Sequence, residues 1–161
     1  MKAEYINPFI ESVHELFSTM LGCKAQRGAL GINKRGGESR DIRDIMALIG
    51  LSGPMRGTVA LVFPINTALR MVSRLLSKEH RVVDETVLDA VGEMVNIVAG
   101  QAKAKLHRNE GTPIDLGLPT VVRGQSYMVA YPSHSNWLDV PFASELGGFN
   151  LRVNFETEYK R

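Results

Sequence analysis

A chain of 161 residues, 44% hydrophobic and 22% charged, has the length and composition of one ordinary folded domain, which excludes a disordered or low-complexity protein. Nineteen Lys and Arg against seventeen Asp and Glu leave a formal charge of +2 with the basic residues scattered, so no nucleic-acid partner is indicated. Cys23 is the only cysteine, which excludes an internal disulfide and a thiolate zinc cluster; with no apolar run long enough for a signal peptide or a membrane span, a single domain over 1–161 in the cytoplasm is expected.

The first helix is expected to open at Asn7, a capping residue, with Pro8 in its first turn, and to stop at Gly22. Phe9, Ile10, Val13, Leu16, Phe17 and Met20 recur at steps of three and four, and Glu11, Glu15 and Ser18 take the other face. Strand-like runs follow at 29–32, 45–51 and 58–63, separated by Gly36-Gly37 and Gly53-Pro54. Asn66 is the expected cap of a shorter helix with Leu69, Met71, Val72, Leu75 and Leu76 as its apolar positions and Ser77 to His80 as its exit.

A long helix is expected from its cap at Asp84 to about Leu106. At 100° per residue, Val87, Val91, Val95, Val98 and Ala102 gather on one side, and Asp89, Glu93, Asn96 and Gly100 on the other. A connection from 107 to 117 then leads into strands at 120–122, 127–131, 140–146 and 149–155. Segregated helices and strands of this kind imply an α+β fold, an antiparallel sheet covered by amphipathic helices. Each half opens with an amphipathic helix and continues into strands, so two pseudo-repeated halves are expected. The first helix offers Glu11, Glu15 and Ser18 at the offsets where the later one offers Asp89, Glu93 and Asn96.

Spacings of four and three place Asp89, Glu93 and Asn96 on adjacent turns, where their heads reach one small volume of a partner. They form a ridge, and spacing alone leaves an ordinary solvated face as the competing account. Gly92 and Gly100 each cost the helix about 1 kcal/mol relative to Ala, which a partner surface or a neighbouring strand lying close to the bare backbone would offset. Other chemistries find less. His14, His80, His107 and His134 are spread without a metal-ligand spacing and read as surface residues, Cys23 reads as a partly buried thiol, and Trp137 as loop or edge packing.

Asp89-x3-Glu93-x2-Asn96, followed after twenty-two residues by Pro119, resembles the signature of the CheC, CheX and FliY family of chemotaxis phosphatases. The stretches VGEMVNIVAGQAK, Leu118-Pro119 and GTVALVFP at 57–64 resemble the same family, so the likeness covers most of the chain. It is most like CheX, because CheC-like members bear the glutamate and asparagine pair in both halves and here Ser18 stands in place of the second asparagine. The resemblance implies a CheC-like fold, a homodimer, and hydrolysis of the aspartyl-phosphate of a CheY-like response regulator. It gives Asn96 the attacking water, Glu93 the docking onto the regulator's lysine, Asp89, Gly92 and Gly100 partner contacts, and Pro119 a supporting role. It further implies that the chain binds no metal of its own and that the partner supplies Mg²⁺. The alternatives are a non-catalytic module that binds or scaffolds the regulator and, more weakly, a purely structural homodimer.

Overall fold

Apolar residues at every position of 45–49 and 59–63 call for strands buried on both faces, and these runs form the middle of the sheet. The computed structural model describes residues 3–33, 44–111, 113–124 and 137–156. In chain order they form α1 (Ala3–Leu16) running into a π-helical turn (Phe17–Leu21), β1 (Ala25–Arg27), β2 (Gly31–Asn33), β3 (Asp44–Ser52), β4 (Arg56–Pro64), α2 (Ile65–Leu76), α3 (Glu85–Glu110), β5 (Asp115–Leu116), β6 (Thr120–Gly124), β7 (Trp137–Ser144) and β8 (Phe149–Glu156).

All strand pairs among these are antiparallel and the sheet runs β1-β7-β8-β4-β3-β5, with β2 also on β7 and β6 also on β3. The order is unchanged when β1 to β4 are exchanged for β5 to β8, so the expected pseudo-repeat is an internal two-fold relation about the β4–β8 pair. Ile45, Ala47 and Ile49 stand opposite Phe63, Leu61 and Val59 and face the helices, all fully buried. Met46, Ala60 and Val62 are buried on the other face as a small separate cluster with Leu48, which explains the unbroken apolar runs.

The aromatic centre of the main core joins α1 to three strands: Phe149 stacks on Phe17 with centroids 4.9 Å apart and on Phe142 at 5.1 Å, and Phe63 tilts onto it at 5.3 Å. The turn between β7 and β8 is pinned by the Thr67 hydroxyl, which donates to the Gly148 carbonyl at 3.0 Å. Gly147 beside it has φ +123°, and a Cβ there would lie 2.2 Å from Thr67 Oγ1, so only glycine fits.

Several boundaries differ from expectation. α1 begins at Ala3, so Asn7 caps nothing and Pro8 sits inside the helix. Burial of Ile6 and the edge contact of Tyr5 on Phe155 carry the helix a turn ahead of the proline, outweighing its missing donor. Gly22 does stop it, in the left-handed conformation with its amide donating to the Phe17 carbonyl. α2 follows β4 without a loop, so Pro64 takes the cap position and Asn66 lies in the first turn. The strand expected at 29–32 is β2 at 31–33, and an unexpected short strand, β1, precedes it at 25–27; both are held by β7. Residues 115–116, read as connection, pair with β3 as β5. The strand expected at 127–131 and His134 lie outside the described residues. Among the described residues no helix is long and apolar enough to cross a membrane.

Candidate functional site

α3 begins where local chemistry dictates. Asp84 Oδ1 accepts the Val87 amide at 3.0 Å, and Gly111, left-handed at φ +62°, closes the far end with its amide donating to the His107 carbonyl. The expected two-sided helix is present: Val87, Val91, Val95, Val98 and Ala102 are fully buried. On the opposite side Asp89 and Glu93 are exposed and Asn96 and Gly100 half-buried. A helix clamped by five buried side chains presents that outer stripe on a rigid backbone. With a rise of about 1.5 Å per residue, the Glu93 and Asn96 backbones stand about 4.5 Å apart along the axis. Among the described residues neither side chain, nor that of Asp89, makes a hydrogen bond or ion pair. A carboxylate and a carboxamide are thus held side by side with their hydrogen-bonding capacity unspent.

Pro119 is half-buried, and a Cβ placed on Gly92 would lie 4.0 Å from its Cβ and 3.1 Å from Val121 Cγ2. Gly92 is itself buried, so the partner contact expected for it is corrected: the bare backbone there admits the chain's own strand β6. Gly100 differs, because a Cβ there would meet nothing within 4 Å. The backbone beside Asn96 is open on that side.

The equivalent face of α1 is not comparable. Glu15 Oε1 accepts a hydrogen bond from Lys105 Nζ of α3, Glu11 Oε2 lies 3.8 Å from the same ammonium, and the Lys105 side chain is 13% exposed. The Ser18 hydroxyl folds back onto the Glu15 carbonyl at 3.2 Å from within the π-helical turn. The acidic pair of the first half is therefore held by Lys105, whereas that of the second half has no partner among the described residues.

The remaining candidates are structural. Cys23 is half-buried; burial first, then the Glu145 carboxylate, pushes its thiol up against the opposing pull of Arg74, the wrong direction for a nucleophile. His14 is half-buried, packing edge-on against Phe142 at 5.6 Å, and His80 is half-buried too, so neither is the plain surface residue expected, whereas His107 is exposed. Trp137 opens β7 and is 2% exposed, so it is a core strand residue, not a loop one. No group of three or more His, Cys, Asp or Glu side chains among the described residues is arranged to hold a metal ion. A cleft of about 340 Å³ lies at the α2–α3 connection between Leu76 and Thr86, and no ridge residue lines it. The stripe on α3 extends beyond Gly100: Lys103 and His107 continue the same steps of three and four, a periodicity visible in the sequence once the outer face is fixed.

Residues 45–143, more than half of the chain, match the family model described as chemotaxis phosphatase CheX. The CheY-P phosphatase CheX of Thermotoga maritima is 31% identical over 136 residues, which cover 80% of this chain and 81% of that protein. A CheC-like superfamily protein from Shewanella sp. PV-4 superposes with a TM-score of 0.86 at 29% identity, covering 98% of this chain and 100% of that one. The CheX of a CheX–CheY–BeF3–Mg²⁺ complex from Borrelia burgdorferi has a TM-score of 0.80 at 23% identity, covering 97% and 100%, a likeness of fold. By the extent of the family match and the identity to the Thermotoga protein, this chain belongs to the CheX family of chemotaxis phosphatases.

Proposed function

We propose that the α3 ridge enters the phosphorylation site of a CheY-like response regulator and directs hydrolysis of its aspartyl-phosphate. The observation that carries this reading is the free Glu93 carboxylate beside the free Asn96 carboxamide on adjacent turns of a helix locked from behind. The Thermotoga relative named as a CheY-P phosphatase supports the substrate class. The Borrelia complex, which joins CheX to CheY with BeF3 and Mg²⁺, supports the choice of partner and the presence of Mg²⁺ in the assembly.

An acyl phosphate is already activated, so most of the remaining work is to place water in line with phosphorus. The Asn96 carboxamide both accepts and donates, and being neutral it holds a water without repelling phosphoryl oxygens. The water oxygen forms the new bond to phosphorus as the bond to the aspartyl oxygen breaks; the carboxylate leaves as an anion and the proton goes to the phosphate product. Glu93 docks on the regulator's lysine, and that lysine and the partner's Mg²⁺ stabilise the spread negative charge. Asp89 adds a weaker acidic contact, Gly100 gives the partner room, and Pro119 fixes β6 against Gly92. The chain acts as a homodimer in this reading, which sedimentation in solution tests.

The test is phosphate release from a phosphorylated regulator with Mg²⁺. The natural chain should accelerate release, and Glu93→Ala should raise the regulator concentration needed for half-maximal rate by about tenfold or more, the scale of one charge-assisted contact. If the natural chain binds the phosphorylated regulator without speeding its decay, the non-catalytic docking module is the correct account.

A further inference from the structure

Lys103 lies seven residues beyond Asn96, two turns along α3 and only about 20° around the helix from it. Side chains of a helix lean toward its N-terminus, so Lys103 can extend along the ridge from its own turn toward that of Asn96. Gly100 offers no Cβ, and the space above it is open. A group seated there would have the Asn96 carboxamide on one side and the Lys103 ammonium on the other.

Several cations among the described residues are already engaged within the chain. Arg74 pairs with Glu145, Arg81 with Glu79, Lys105 with Glu15 and Arg152 with Asp139, and Arg123 donates to the Val83 carbonyl. Lys103 is half-buried and has neither an ion pair nor a hydrogen bond among the described residues. The covered part is the stem, and the Nζ itself reaches the surface, so the ammonium is open to an anion brought from outside. Along the ridge the order is acid, acid, amide, open backbone, cation: Asp89, Glu93, Asn96, Gly100, Lys103.

We infer that Lys103 is a specificity-determining residue that pairs with the phosphoryl oxygens of the regulator and lets the ridge distinguish the phosphorylated partner from the unphosphorylated one. This rests on the phosphatase reading above, since it needs a phosphoryl group held beside Asn96. Glu93 on one side of Asn96 grips a cation of the partner, and Lys103 on the other grips the anion that distinguishes its active form. A phosphoryl group carries the charge and the acceptor oxygens for such a pair.

Calorimetric titration of a CheY-like regulator in Mg²⁺, with and without beryllium fluoride as the phosphoryl mimic, gives the ratio of the two affinities for each variant. Lys103→Gln is expected to lower that ratio about tenfold, chiefly by weakening binding of the activated form, and Lys103→Arg to keep most of it. Lys103→Met retains the apolar stem and replaces the glutamine variant should the latter melt early. An unchanged ratio in Lys103→Gln or Lys103→Met overturns the inference and leaves Lys103 as a residue that packs its stem and sends its head to water. Asn96→Ala, run alongside in the phosphate-release assay, separates the two failures. If it keeps full turnover the phosphatase reading falls; if it is inactive and the affinity ratio survives loss of Lys103, only the assignment of Lys103 falls.

Discussion

Asn96→Ala lowers phosphate release at saturating phosphorylated regulator by about 10²–10³-fold, the scale set by loss of one preorganised hydrogen-bonding group at a transition state. The backbone of α3 does not depend on this side chain. Val95 and Val98, which flank position 96 on the buried face, are fully buried, and the Asn96 carboxamide has no partner among the described residues to abandon. Binding of the activated regulator should therefore stay within a few-fold of the natural chain while turnover collapses, so that the loss falls on kcat and not on KM. Asn96→Asp gives the sharper control. It keeps the shape but puts a carboxylate where phosphoryl oxygens approach, so it is expected to be inactive and to bind the activated form less well. Rapid-quench turnover paired with calorimetry reads both quantities, and an alanine variant with near-normal turnover rules out the water-positioning role.

Phe149→Ala is the substitution with the largest expected cost to the fold, about 3–5 kcal/mol for an aromatic ring removed from a closed core. Phe149 is 2% exposed and its ring lies parallel to those of Phe17 and Phe142, at interplanar angles of 3° and 5°. Those partners come from the π-helical turn and from β7, and Phe63 comes from β4, so one deletion loosens the junction of α1 with the sheet. Thermal unfolding should shift down by about 10 °C, given that 1 kcal/mol corresponds to about 2–4 °C in a chain of this size. A shift of a degree or two would mean that the neighbouring rings collapse into the space.

What the sequence disclosed and what it withheld divide along a physical line. α3 was readable because its signals are local: Asp84 caps it, and five small apolar residues at helical spacing define its buried face. β3 and β4 were readable because burial on both faces leaves unbroken apolar runs. β5 and β1 were misread because two or three residues become a strand only when a distant edge takes them. The start of α1 was misplaced because the proline signal at Pro8 is local, whereas Ile6 and Tyr5 are held by tertiary contacts. The same limit hid the difference between the two acidic faces. Glu15 and Lys105 stand 90 positions apart, and only the packing of α1 beside α3 brings them together. For Gly92 both a partner and a neighbouring strand were compatible with the sequence, and Val121 decides for the strand.

The exchange of edge strands across the two-fold has a kinetic consequence. β3 takes β5 and β6 as neighbours from the second half, and β7 takes β1 and β2 from the first. Neither half can complete its own hydrogen-bonding ladder, and the ring pair Phe17–Phe149 joins residues separated by most of the polypeptide. Loop-closure entropy must be met before these non-local contacts return any stability, which places the protein among slow-folding topologies. During translation α3 leaves the ribosome before β5 and β6, so it exists for a time without two of the strands it packs on. A partial chain that stops short of β6 therefore holds α3 without its full backing.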